Sequence, residues 1–109
     1  MAKLPEEVIH ELAAKGRLAF KKHCALRMYE RKIYAIEVME AMQCCKIIEG
    51  YPEDYPLPSG LVLGHTQKSR PIHAVVAVDE KEPILWIITA YQPNLLEWDE
   101  SFEKRRRKG

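Results

Sequence analysis

Two runs decide the fold: Pro71-Ile72-His73-Ala74-Val75-Val76-Ala77-Val78-Asp79 and Ile84-Leu85-Trp86-Ile87-Ile88-Thr89-Ala90-Tyr91. Both are rich in β-branched and aromatic residues, and both are apolar on their two alternating faces. That is the pattern of central strands covered on both sides. The charged tip Glu80-Lys81-Glu82 between them predicts a hairpin. Working backwards, residues 61–66 predict another strand, joined through the polar turn Gln67-Lys68-Ser69-Arg70. Lys46-Ile47-Ile48-Glu49 predicts the first strand. Residues 50–59 between these two, with prolines at 52, 56 and 58, read as a loop.

Before Cys44 the apolar spacing is helical instead. A first helix is expected over residues 5–15. Proline suits its opening turn, Glu6 and Glu7 complement the dipole, and Gly16 provides a stop. Leu4, Val8, Ile9 and Leu12 form its stripe. Residues 17–21 read as a short extended link. A second helix is expected over residues 22–32, with Ala25 and Met28 facing the core. A third is expected over residues 34–43, with Ile36, Met39 and Met42 as its buried side. Helices followed by hairpin-linked strands give an α+β class: two to three N-terminal helices packed on a four-stranded antiparallel sheet. Beyond Pro93, Trp98 and Phe102 are four apart, which suits a short helical turn laid on the sheet.

The chain has 109 residues, 47% hydrophobic and 30% charged, which is a single globular domain's worth. The longest uncharged apolar run, residues 83–93, is about half of what a membrane-spanning helix needs. The opening residues carry early acidic groups and no apolar core of a secretory signal, so a cytoplasmic protein is expected. Cys24, Cys44 and Cys45 cannot all pair. They read as reduced thiols, with a metal site built from His23 and the three cysteines as the sharper alternative. No Cys-x-x-Cys or His-x-x-x-His spacing supports that alternative. The net charge of +1 is an average over segments that disagree. Residues 1–32 carry eight basic and four acidic side chains, residues 33–59 one and five, and residues 60–103 three and seven. Lys104-Arg105-Arg106-Arg107-Lys108 then adds five positive charges. Residues 104–109 read as a flexible basic tail, solvated or gripping a nucleic-acid backbone.

His23, Arg27 and Arg31 recur every four residues and share a face of the second helix. This is either a solvated basic face or an anion site with a titratable group inside it. Arginine offers a planar fork matched to phosphate, and histidine trades a proton near neutral pH. Alternation puts His73 on one strand face, and Thr89 and Tyr91 on one face of the next strand. His73 is either a core histidine or the centre of a site where these three converge. His65 and Arg70 lie nearer the loops. No glycine-rich phosphate loop, metal-spaced carboxylates or nucleophile elbow accompanies this set. The toolkit suits cofactor-free, metal-independent cleavage of an RNA phosphodiester. A base takes the 2′-OH proton, an acid protonates the 5′-oxygen, and cations hold the charge on phosphorus.

The same residues carry a resemblance. The run His23-x-x-x-Arg27-Met28-x-x-Arg31-x-Ile33 resembles the opening signature of a small prokaryotic family, domain of unknown function 4258. Ile47-Ile48-Glu49-Gly50-Tyr51-Pro52-Glu53-Asp54, Leu61-Val62-Leu63-Gly64, Arg70-Pro71-Ile72-His73-Ala74-Val75-Val76 and Ile87-Ile88-Thr89-Ala90-Tyr91-x-Pro93 follow in the family's order, then Trp98 and Phe102. Cys24 stands where the family commonly has Ala, Tyr34 where it offers a Ser or Thr cap, and Cys44-Cys45 where it often has a glycine turn. The family is similar to RelE-like and MqsR-like toxins, which implies a RelE/barnase-like fold. It also implies the toxin of a toxin–antitoxin pair, acting as an endoribonuclease on RNA, including ribosome-associated mRNA. Its implied partner is a small antitoxin protein with an MqsA-like zinc finger; no membrane partner is expected. Residue by residue, the resemblance carries over His23, Arg27, His73, Thr89 and Tyr91 as catalytic, and Arg31 and Arg70 as substrate-binding. The alternative from the residues alone is a non-catalytic RNA- or protein-binding module of the same fold.

Overall fold

The computed structural model describes residues 4–107. Helix α1 spans Glu6–Ala14 and buries Ile9, Leu12 and Ala13. Gly16 ends it with φ 71°, a conformation that costs glycine little. Helix α2 spans Lys22–Arg31. It closes in a Schellman arrangement: Lys32 takes φ 57°, and Lys32 and Ile33 donate their N–H groups back to the Tyr29 and Met28 carbonyls at 3.3 and 2.9 Å. Helix α3 spans Ala35–Met42, and the Glu37 carboxylate accepts the Tyr34 N–H at 3.0 Å, tying down one orphan donor at its start.

The buried sides of α2 and α3 differ from the expected ones. Cys24 joins Met28 in the core while Ala25 is exposed. On α3 the buried residues are Val38, Ala41 and Met42, while Ile36 is 54% exposed. Ala41 sets this phase. Its backbone lies against Gly64 of the sheet so closely that a Cβ at position 64 would overlap the Ala41 carbonyl.

Five strands follow one another as β1 (Leu18–Phe20), β2 (Lys46–Tyr51), β3 (Ser59–His65), β4 (Pro71–Asp79) and β5 (Ile84–Tyr91). Their order in the sheet is β1-β5-β4-β3-β2. β2 to β5 form an antiparallel meander, and β1 adds to β5 in parallel, with Leu18 opposite Leu85. The sheet is therefore five-stranded and mixed, not four-stranded and antiparallel. The expected link at residues 17–21 is β1: Leu85 N–H donates to Arg17 O at 2.9 Å, and Lys21 N–H to Ile87 O at 3.0 Å. Three residues are too few to show a period, and a parallel partner so far along the chain leaves no local turn signal.

All three helices pack on one sheet face, against Val62, Ile72, Ala74, Val76, Val78, Leu85, Ile87 and Ala90. The other face is crossed by residues 93–107, a strap that brings Trp98 to 2% exposure. No helix among the described residues is long and apolar enough to cross a membrane.

The α3–sheet contact tests the packing. Gly64→Ala should cost about 2–3 kcal/mol by overpacking, lowering Tm by roughly 10 °C or more. Gly50→Ala, on the same sheet with open space at its Cα, should stay within about 0.5 kcal/mol of the parent. Thermal melts of the two variants check both.

Candidate functional site

His73 lies directly across the β4–β5 ladder from Tyr91, on the face turned away from the helices. It is completely buried, and both ring nitrogens are engaged. Nε2 is 2.7 Å from the Phe102 carbonyl oxygen, and Nδ1 is 3.0 Å from the Tyr91 hydroxyl. A carbonyl can only accept, so Nε2 carries the proton in the neutral ring. Nδ1 is then an acceptor, and Tyr91 donates to it. Trp98 meets the ring edge-on at 4.4 Å between centroids, and Tyr91 does so at 5.2 Å. Burial depresses the His73 pKa, opposed by the hydrogen bond to Phe102, and burial likewise raises that of Tyr91. Phe102 reaches this position with φ 61°, a left-handed conformation that costs a bulky residue about 1–2 kcal/mol.

Tyr91 also lines a cleft of about 640 Å³ with Arg31, Ile33, Arg70, Gln92, Asn94, Glu97 and Trp98. Arg31 enters from the last turn of α2 and donates from Nη1 to the Ala90 carbonyl at 2.9 Å. Arg70 enters from the turn before β4. Its Nη1 is shared by the Glu37 carboxylate, at 3.0 and 3.1 Å, and the Lys32 carbonyl, while Nε donates to Gln92 at 2.7 Å. Arg70 is thus largely neutralised by Glu37, whereas Arg31 spends one donor on a neutral carbonyl and keeps its charge for the cleft. Asn94 reaches Glu97 across the rim.

A second cluster adjoins Tyr91 and His73 on the same face. Arg105 makes a two-point pair with Glu49, at 2.9 and 3.1 Å, and stacks 4.7 Å over the Trp98 ring. Tyr51 donates to Glu49 at 2.6 Å. Arg105 holds the Glu49 carboxyl below the usual range, and burial beside that carboxylate pushes Tyr51 up to about 12. Glu49, Tyr51 and Arg105 were not among the expected site residues. Alternation in Lys46–Tyr51 places the first two together, but nothing local ties them to Arg105. Residues 104–106 are docked and not a loose tail: Asp99 N–H donates to Lys104 O, Arg106 N–H to Glu97 O, and Trp98 bridges to Arg105. Lys108 and Gly109, the rest of the expected tail beyond Arg107, lie outside the described residues.

The other expected residues are not drawn in. His23 and Arg27 are exposed on α2, which packs through Cys24 and Met28 on the helical side of the sheet. His73 faces the opposite side, so His23 and His73 do not bracket one phosphate. Arg27 pairs with Glu30 at 3.2 Å instead. Thr89 shares the face of Tyr91 but stands opposite Val75, two residues back along β5. The Cys24 thiol lies 3.6 Å from the Met28 sulfur, and burial pushes the Cys45 thiol up to about 12. No three His, Cys, Asp or Glu side chains gather at metal-ligand geometry among the described residues.

The depressed His73 pKa makes stability depend on pH. An unfolded chain binds a proton at His73 near its ordinary value of 6.5, while the folded chain resists it until lower pH. The His73 contribution to stability should therefore be level above about 6.5 and fall as pH drops below it. His73→Gln, compared with the parent by urea denaturation at each pH, should remove that part of the slope.

Comparison with curated proteins and with solved structures returned no match. A family described as Domain of unknown function (DUF4258) matches residues 20–92, a span that takes in α2, α3 and the whole β2–β5 meander and ends just beyond Tyr91. With two-thirds of its length matched, the chain belongs to the DUF4258 family.

Proposed function

We propose that the chain cleaves RNA at the Arg31–Tyr91 cleft without a metal ion. The observation that carries this reading is Tyr91, a residue of the cleft lining whose hydroxyl donates to a buried histidine of fixed tautomer. A 2′-OH in the cleft passes its proton to the Tyr91 oxygen as Tyr91 passes its own to Nδ1 of His73. The 2′-oxygen attacks phosphorus, the bond to the 5′-oxygen breaks, and that oxygen takes a proton from water at the open rim; the hydroxide left there takes back the proton from His73 through Tyr91, restoring both groups. The products are a 2′,3′-cyclic phosphate and a free 5′-hydroxyl. Arg31 holds the charge on phosphorus. Burial keeps the resting ring neutral, and the Phe102 carbonyl opposes that burial by steadying the imidazolium while it lasts.

This relay replaces the paired histidines expected from the sequence with one histidine acting through a tyrosine. The toxin role is what the resemblance of the sequence to its family implies. On this proposal the chain is the toxin of a pair, working on mRNA in the cytoplasm and silenced by a small antitoxin protein. A second reading, a module that binds RNA or protein without cleaving, is favoured by one observation: Arg70 is already occupied by Glu37.

Cleavage of single-stranded RNA in EDTA separates the two. The parent should give cyclic-phosphate products. Tyr91→Phe, which keeps the packing, should lower the rate by about 10²-fold or more with Tm little changed. Arg31→Met should also slow cleavage. Absence of products from the parent on free and ribosome-bound RNA would leave the binding module.

A further inference from the structure

A second cleft opens on the far flank of α2. Tyr29 and Arg31 are two positions apart on the helix and so leave it on opposite sides. Tyr29, Met28, Lys32, Ile33, Tyr34 and Phe20 line this cleft, of about 770 Å³. Ile33 lines the Arg31–Tyr91 cleft as well, so the two meet across the α2–α3 link. Lys32 stands on that link, held in place by the Schellman turn and by the Arg70 bond to its carbonyl.

The two tyrosines are 84% and 66% exposed, although each ring is an apolar body that a folded chain ordinarily covers at least in part. Lys32 and Glu30 both line the cleft, and Lys22 stands two turns before Tyr29 on the same helix face. Exposed aromatic faces beside a lysine suit unstacked bases on a phosphate backbone. An acidic peptide would meet the same lysine, but it would leave the ring faces without flat partners.

We propose that this cleft receives an unstacked base of a single-stranded RNA, stacked on Tyr29 and Tyr34. Lys32 takes the intervening phosphate, and the scissile phosphate lies at Tyr91. The proposal rests on reading the Tyr91 cleft as the cleavage site. It extends that site to a substrate of at least three nucleotides.

The test uses a fluorescent 2′-O-methyl decamer, which cannot be cleaved, with inorganic polyphosphate as a base-free control. Tyr29→Ala and Tyr34→Ala should each weaken decamer binding by about fivefold or more, and leave polyphosphate binding unchanged. Tyr29→Phe and Tyr34→Phe should bind the decamer like the parent. With a cleavable decamer the Ala variants should raise KM, while cleavage of a dinucleotide stays at the parent level. No decamer binding by the parent overturns the proposal, as does an equal loss with polyphosphate or full affinity in the Ala variants. So does sedimentation showing a parent dimer that the Ala variants dissolve, since a second copy would then cover the face. Tyrosine-dependent binding by a parent that cleaves nothing would overturn the Tyr91 chemistry alone.

Discussion

His73 sits where water cannot reach it, and a buried imidazole must place both ring nitrogens on protein partners. Much of the outer sheet face follows from that requirement. The Phe102 carbonyl satisfies one nitrogen, which obliges residues 93–107 to cross the sheet and Phe102 to accept a left-handed backbone. Trp98 seals the ring from above, and Arg105 covers Trp98 while clamped to Glu49. The other nitrogen is left with the Tyr91 hydroxyl as its donor. One unfavourable burial thus fixes a tautomer, a strap and the hydrogen bond that holds the Tyr91 hydroxyl.

The charge distribution takes on a different meaning in three dimensions. Part of the basic charge does not await an anionic partner, because it is already spent on carboxylates within the fold. Arg70 lies against Glu37, Arg105 against Glu49, and Lys46 against Glu103. These pairs are at least partly exposed, and each contributes little to stability. Their effect is to choose which cations remain available. Arg31 and Lys32, at the end of α2, keep their charge beside the two clefts.

The sequence made the meander legible because its information is local. The strands β4 and β5 follow from their apolar runs and the charged tip between them. Thr89 and Tyr91 share a face because both lie beyond the bulge at Ile88, so the extra residue does not disturb their alternation. The stripe of His23, Arg27 and Arg31 was equally legible, but spacing fixes only which residues share a helix face, not which sheet face that helix will cover. Only Arg31, at the end of α2, reaches the edge of β5. The pairing of β1 with β5 and of Arg105 with Glu49 had no local trace, because each joins segments far apart in the chain. A run of five like charges reads as solvated until its distant carboxylate is known.

The strap and the first helix have a consequence for where the domain can be cut. The family match spans residues 20–92, but α1, most of β1, Trp98 and Phe102 lie outside it. A fragment trimmed to that span would bare the core where Ile9, Leu12 and Ala13 pack. It would also return one nitrogen of His73 to solvent. The unit of resemblance is therefore smaller than the unit of folding, and any transplant of the Tyr91–His73 pair into another scaffold must carry the strap with it.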